Sequence, residues 1–164
     1  LDRYRDRLRP ETIALVERFA PHLDAYLHRQ QPPFSVVHGD YRCDNLLFGA
    51  DRVVVVDWQT VSLGNPAGDL GYLLGTSLTT PRRRALECDL VARYADGVRA
   101  LGVSVDDDWL WTEYCRASFS GIIMAIVASA LVRQTDRGDE MFLAMAERPA
   151  DQVRDLGVGS LLEV

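Results

Sequence analysis

Lysine is absent from this chain of 164 residues; all eighteen basic side chains are arginine. A mechanism that needs a lysine amine therefore cannot be complete within it. Histidine is scarce, with only His22, His28 and His38, which thins any histidine-based metal cluster. Cysteine is limited to Cys43, Cys88 and Cys115, with no C-x-x-C pair. That excludes a zinc pattern and a disulfide framework and suits reduced thiols in a cytoplasmic protein. The net charge of −6 lacks the basic excess of a nucleic-acid surface, so no nucleic-acid partner is expected. The longest uncharged run, Ala117 to Val132, has sixteen residues. It falls short of the roughly twenty a bilayer needs and reads as a buried core helix, with no membrane partner. There is no secretory signal pattern, no internal repeat, no low-complexity stretch and no G-x-G-x-x-G loop. Gly157-Val158-Gly159 lacks the strand before and helix after that would give a glycine pair meaning. With Leu1 at its start, the chain is expected to be a segment of a longer protein.

What is present suits one domain over residues 1–164, with 48% apolar residues to build a core. Leu1 to Arg9 is charged and is expected to fray or to continue an upstream helix. A helix starts at Pro10, a residue suited to the first helical position. Ile13, Val16, Phe19, Ala20, Leu23 and Leu27 mark its apolar face, and Pro32-Pro33 ends it. Phe34 to Val37, Leu46 to Phe48 and Val53 to Val56 read as strands, the last two as a hairpin around Gly49-Ala50-Asp51-Arg52. After the Gly64-Asn65-Pro66 turn, Asp69 is placed as N-cap of a short helix through Leu78. Thr80-Pro81 opens the next helix, with Leu86, Leu90, Tyr94, Val98 and Leu101 inward and Gly102 as its stop. Asp106 to Asp108 precede a long helix through Val132, where acids suit the positive helix end. Gly121, Ala125 and Ser129 share a face that a neighbouring helix could approach. A helix from Asp139 to Glu147, an interruption at Pro149 and a last short helix complete the order. The sum is an α+β fold, mostly helical.

The chemistry concentrates in one stretch, His38 to Asp57. Asp40, Asn45 and Asp57 put two carboxylates and an amide near one point, a donor set for a hard cation. Mg²⁺ takes oxygen ligands and uses few protein groups alongside substrate phosphates, which suits Asn45 and Asp57. Asp40 is placed to orient or deprotonate a hydroxyl. These are the parts that phosphoryl transfer needs. Gly39 permits a sharp turn between strand and Asp40.

H-G-D-x-x-x-x-N, followed by a hairpin ending in Asp, resembles the aminoglycoside phosphotransferase and choline kinase superfamily, which is protein-kinase-like. The segment G-N-P-A-G-D-L resembles the family's G-x-P-x-x-D-L. The triplet Asp57-Trp58-Gln59 with Gly71-Tyr72-Leu73-Leu74 is similar to the ecdysteroid-kinase-like branch. The resemblance implies a protein-kinase-like C-terminal lobe whose small β-hairpin carries the catalytic loop. Asp40 would be the catalytic aspartate, with His38 beside it. Asn45 and Asp57 would bind Mg²⁺ and through it ATP. Asp69 would brace the catalytic loop, through His38. The partners implied are a nucleotide, a small hydroxyl-bearing acceptor and an N-terminal lobe. That lobe supplies a nucleotide-covering loop and a Lys, and neither is in this chain. The expectation is a C-lobe of an ATP-dependent O-phosphotransferase, inactive alone. Two alternatives stand beside it: a pseudokinase-like binding module, motivated by the missing lobe, and a metal-dependent phosphohydrolase using His38, Asp40, Asp57 and Asp69.

Each residue also has a plainer reading. His38 can be a packed histidine, Asp40 and Asn45 turn residues, and Asp69 a simple cap. Arg42 and Asp44 face solvent or the acceptor. Trp109, Trp111 and Tyr114 fill a core, or line a pocket for a cationic acceptor. Asp106 to Asp108, Asp136, Asp139 and Glu140 sit at helix starts or on solvated faces, or attract an amine. Arg82-Arg83-Arg84 reads as a solvated first turn rather than a phosphate site.

Overall fold

The computed structural model describes residues 2–29 and 31–159. Pro10–Phe19 forms α1, and a 3₁₀ turn at Ala20–His22, where Pro21 removes a donor, leads into α2, Leu23–His28. Four short strands follow: β1 Ser35–Val37, β2 Leu46–Phe48, β3 Val53–Val55 and β4 Ser62–Gly64. They make two antiparallel pairs, β1 with β4 and β2 with β3. The remainder is helical: α3 Ala67–Ser77, α4 Thr80–Ala100, α5 Asp107–Ala117, α6 Ser120–Leu131 and α7 Asp136–Asp155. The mostly helical α+β reading holds. Helix α3 is the centre of the helical layer, packed against α4, α5, α6 and α7. One main apolar cluster joins α1, α3, α4, α5, α6 and the end of α7.

Several elements depart from the sequence reading, each for a physical reason. Residues 3–9 are tied to the fold rather than frayed, although most of their side chains are exposed; Leu1 lies outside the described residues. Tyr4 is buried, and its hydroxyl donates to Asp139 Oδ1 at 2.8 Å. Arg3 donates to the same oxygen at 2.8 Å, and Arg9 reaches Asp151 at 2.8 Å. The Gln134 amide, with Tyr4 and Arg3, holds the Asp139 carboxyl below the usual range. On α1 the buried positions are Thr12, Leu15, Val16 and Phe19, while Ala20 and Leu27 are exposed.

The face of α4 is also shifted. Arg83, Glu87, Val91 and Ala95 are buried, whereas Leu86 and Leu101 are exposed. Arg83, placed by sequence in a solvated turn, is only 1% exposed. Its Nη1 donates to both Glu87 oxygens at 2.7 Å, and it also meets Asp155. Tyr114 donates to Glu87 Oε2 at 2.9 Å, and Gln152 Nε2 donates to Tyr114 Oη at 2.8 Å. A charge taken from water needs this many partners. The cap of α4 is Thr79, one residue earlier than expected, because Thr80 turns its hydroxyl to Asp151 Oδ2 at 2.8 Å. Gly102, at φ 81°, ends the helix as expected.

The single long helix expected after Asp106 is two, α5 and α6, joined by a turn at Ser118 and Phe119 that keeps right-handed helical backbone. Asp106 caps α5, accepting from the Trp109 N–H at 2.7 Å. Taken together, Asp107–Leu131 is long and apolar enough to cross a membrane by length and composition, and half of its apolar window is buried inside the fold. Gly121, Ala125 and Ser129 are buried, and α6 packs along α7. A side chain at Gly121 would strike the ring of Pro149, and the Thr76 methyl at 3.2 Å. That notch is why Pro149 does not interrupt: α7 runs through it unbroken, its ring seated against α6 in exchange for one lost backbone hydrogen bond.

Arg83→Leu should leave Glu87 buried without its cation, a loss of about 3–5 kcal/mol. Gly97→Ala, at a helical position with open space around the added methyl, should gain roughly 0.5–1 kcal/mol. Urea unfolding of the two variants checks both signs.

Candidate active site

Strand β1 runs into His38, which is 2% exposed. Its ring lies 4.8 Å from the Trp58 ring and 5.8 Å from that of Tyr41. His38 Nε2 lies 2.9 Å from the Val56 carbonyl, and the Asp40 N–H donates to Nδ1 at 3.2 Å. A donor at one nitrogen and an acceptor at the other define a neutral imidazole with its proton on Nε2. His38 therefore ties the Asp40 backbone to the strand that delivers Asp57.

Asp69 lies in the first turn of α3 and is not its cap. Pro66 stands at the cap position, and Asn65 Oδ1 before it accepts from the Ala67 N–H at 3.0 Å. The carboxylate of Asp69 instead spans two backbone amides: His38 N–H to Oδ2 at 2.7 Å and Gly39 N–H to Oδ1 at 2.9 Å. It holds the loop through the main chain of His38 and not through the imidazole. Between them the chain turns at Gly39, φ 81°, where a Cβ would come within 2.7 Å of the Thr60 carbonyl oxygen. Thr60 closes the same corner by donating its hydroxyl to the His38 carbonyl at 2.7 Å.

Asp40 emerges from this corner with both oxygens engaged. Asn45 Nδ2 donates to Oδ2 at 2.9 Å and to the Asp40 carbonyl at 2.8 Å. The Tyr72 hydroxyl donates to Oδ1 at 2.7 Å. Arg42 Nε stands 3.4 Å from Oδ1. Burial, then the bond to Asp40, pushes the Tyr72 phenol upward, so it stays a donor at any working pH. Because the amide of Asn45 offers its NH₂ to two oxygens of Asp40, its Oδ1 faces the other way, as a neutral oxygen ligand must.

Asp57 follows Val56, whose N–H donates to the Asn45 carbonyl at 3.0 Å. The β2–β3 ladder and this bond bring the Asp57 backbone to the Asn45 end of the loop. Asp57 adopts φ 63°, ψ 55°, a left-handed conformation costing about 1–2 kcal/mol for a residue with a Cβ. Its carboxylate is exposed and makes no hydrogen bond or ion pair with the described residues. Strain held at an uncommitted carboxylate points to use by a ligand. No group of three His, Cys, Asp or Glu side chains suited to a metal exists among the described residues. The donor set on offer is instead an amide oxygen and one carboxylate, hard ligands that suit a cation bringing phosphate oxygens of its own.

The structure thus gathers His38, Gly39, Asp40, Asn45 and Asp69 in one hydrogen-bonded unit and sets Asp57 next to it. Sequence reasoning gave no role in the loop to Tyr72 or Thr60, and its solvent-facing reading of Arg42 does not hold, since that side chain is mostly buried beside Asp40. The signal for Tyr72 was present: it lies three residues after Asp69, on the same face of α3. Thr60 and Arg42 carried no comparable pattern. Of the candidate cationic-acceptor aromatics, Tyr114 is fully buried and Trp109 packs against the main cluster, whereas Trp111 is exposed. Below the loop lies a cavity of 280 Å³ bounded by Gly39, Asp69, Tyr72 and Glu113. Burial raises the Glu113 carboxyl, although Arg116 opposes it.

Asp69→Asn should keep one backbone bond and lose the other, at a cost of about 1–3 kcal/mol. Amide exchange at His38 and Gly39 should accelerate, while that of α7 should stay slow.

A family model described as the phosphotransferase enzyme family, APH, matches residues 1–105. A stretch of 64 residues is 39% identical to acyl-CoA dehydrogenase family member 10 of Mus musculus, covering 37% of this chain and 6% of that protein. A stretch of 41 residues is 46% identical to the probable acyl-CoA dehydrogenase IBR3 of Arabidopsis thaliana, covering 23% of this chain and 5% of that protein. The chain therefore matches only a small part of either relative's length. The match to acyl-CoA dehydrogenase family member 10 is consistent with the ecdysteroid-kinase-like branch. No solved structure matches. With the family match spanning the loop, the hairpin and α3, the chain belongs to the phosphotransferase enzyme family, within the aminoglycoside phosphotransferase and protein-kinase-like superfamily.

Proposed function

We propose that this chain is the C-terminal, helical lobe of a Mg²⁺- and ATP-dependent enzyme that phosphorylates a hydroxyl group of a small molecule. The observation that carries the reading is the fixed carboxylate of Asp40. Two neutral donors, Asn45 and Tyr72, and a nearby arginine hold it as a hydrogen-bond acceptor at the end of a braced loop. In that role Asp40 accepts the hydrogen of the acceptor hydroxyl and aims its oxygen. That oxygen bonds to the γ-phosphorus, the bond to the bridging oxygen breaks, and ADP leaves. Asn45 Oδ1 and the Asp57 carboxylate would hold Mg²⁺, which neutralises phosphate charge when bound. His38, Gly39, Thr60 and Asp69 position the loop without touching substrate.

A second lobe is part of the proposal. No lysine in the chain can hold nucleotide phosphates. Val36, Leu47, Phe48, Val53, Trp58 and Leu63, all on or beside the strands, are between 48% and 76% exposed. Strands with this much exposed apolar surface suit cover by further polypeptide. We place the N-terminal lobe there, in a cytoplasmic protein, and expect residues 1–164 alone to be inactive. The missing lysine equally favours a pseudokinase-like binding module. Turnover separates the two.

In the longer protein that contains this chain, Asp40→Asn should lower kcat by roughly a hundredfold or more. Asp57→Asn should raise the Mg²⁺ concentration needed for half-maximal rate. Both are read as acceptor-dependent ADP release. Undiminished phosphoryl transfer in both variants refutes the assignment, and no transfer to any hydroxyl acceptor favours the binding module.

A further inference from the structure

On the side of Asp40 facing α7, the loop forms one wall of a second cavity, of 260 Å³. The end of α3 (Thr76, Ser77) and one face of α7 (Met141, Ala144, Met145, Arg148) form the others. Two guanidinium groups line it, Arg42 and Arg148, against a single carboxylate, Asp44. Asp44 is 72% exposed and already pairs with Arg42 at 2.6 Å. Arg148 is half-buried and makes one hydrogen bond, from Nη1 to the Thr76 carbonyl at 3.1 Å. It has no carboxylate partner among the described residues. Arg42 Nε is buried without a hydrogen-bond partner, and Arg42 Nη1 rests on Met141 Sδ at 3.4 Å. Arg42 is balanced by Asp44 and, at 3.4 Å from its Nε, by Asp40, so the cation left for a ligand is Arg148, beside a methionine lining that adapts to varied apolar shapes.

Most of the residues that could have drawn an amine are committed elsewhere. Asp106 caps α5, Asp107 pairs with Arg99 at 2.6 Å, Asp139 is held by Arg3 and Tyr4, and Glu140 meets Arg7. Asp108 and Asp136 are exposed at helix starts, and none of the six lines this cavity.

We propose that this cavity is the acceptor site and that the acceptor is an anionic hydroxy compound. Its carboxylate or phosphate pairs with Arg148 and its hydrocarbon part lies along Met141 and Met145. Its hydroxyl projects past Arg42 toward Asp40. The placement rests on the phosphotransferase reading only for the fate of the hydroxyl; the binding itself needs neither nucleotide nor metal.

Cys43 lines the same cavity and is exposed, as is Cys88 on α4. Cys115 is buried, and burial pushes its thiol up to about 11, so it reacts little. Alkylation of Cys43 and Cys88 in the 164-residue chain, mapped by peptide mass at matched ionic strength, reports occupancy without turnover. The probes are 3-hydroxybutyrate, glycerol 3-phosphate, 1,3-butanediol and 4-amino-2-butanol. At least one anion should slow Cys43 and spare Cys88, and comparing the two anions tells carboxylate from phosphate. The diol and the amino alcohol should do neither. Arg148→Met should weaken that protection by roughly tenfold, the worth of one charge-assisted hydrogen bond. Arg148→Lys should retain part of it, and thermal melts confirm that both variants fold. Protection by the amino alcohol, equal slowing of both thiols, equal protection in Arg148→Met, or no protection by either anion overturns the proposal. Each of these results leaves the Asp40 and Asp57 test above untouched.

Discussion

One carboxylate, that of Asp69, accepts two consecutive backbone amides, and the geometry of the loop follows from it. The amides of His38 and Gly39 point the same way only if the chain turns between them. That turn requires a positive φ, hence glycine, and Thr60 fills the space a side chain would need. Once the peptide is set, His38 can reach Val56 with one nitrogen and receive Asp40 with the other. Asp40 then falls within reach of Asn45 and Tyr72. The bonds are ordinary in length, and their effect comes from sharing. Asp69 and His38 each hold two backbone groups, and Asn45 holds both the carbonyl and the carboxylate of Asp40, so the members of the loop are tied together.

Helix α3 brings these contacts to the core. It supplies Asp69 and, one turn later, Tyr72, and its opposite faces are buried against α4, α5, α6 and α7. The loop is thus mounted on the most deeply packed helix. The buried Arg83–Glu87–Tyr114–Gln152 network links α4, α5 and α7 around it. Such a network adds less stability than an apolar core of equal volume. Its stricter geometry fixes how the three helices sit, and with them the floor of the site.

Much of this was legible in the residues. Strands β1 to β3, the hairpin and the positions of His38, Asp40, Asn45 and Asp57 followed from apolar runs and from the spacing of a recognisable motif, whereas β4, Ser62–Gly64, carried no such run. Pattern failed where long-range partners decided the outcome. Arg83 read as solvated because its neighbours are arginines, yet Glu87 and Asp155 neutralise it inside. Pro149 read as a break because nothing local shows the notch at Gly121. Residues 3–9 read as frayed because charges usually are, yet Arg3 and Arg9 find partners on α7, more than a hundred residues away in sequence. Asp69 had a local reading as a cap, yet it lies inside the helix and its carboxylate serves the His38 and Gly39 amides.

The Val56 peptide is gripped on both sides, its N–H by Asn45 and its carbonyl by His38. The two bonds anchor the end of the hairpin that leads into Asp57, so the backbone delivering that carboxylate is tied to the loop as well as to its partner strand.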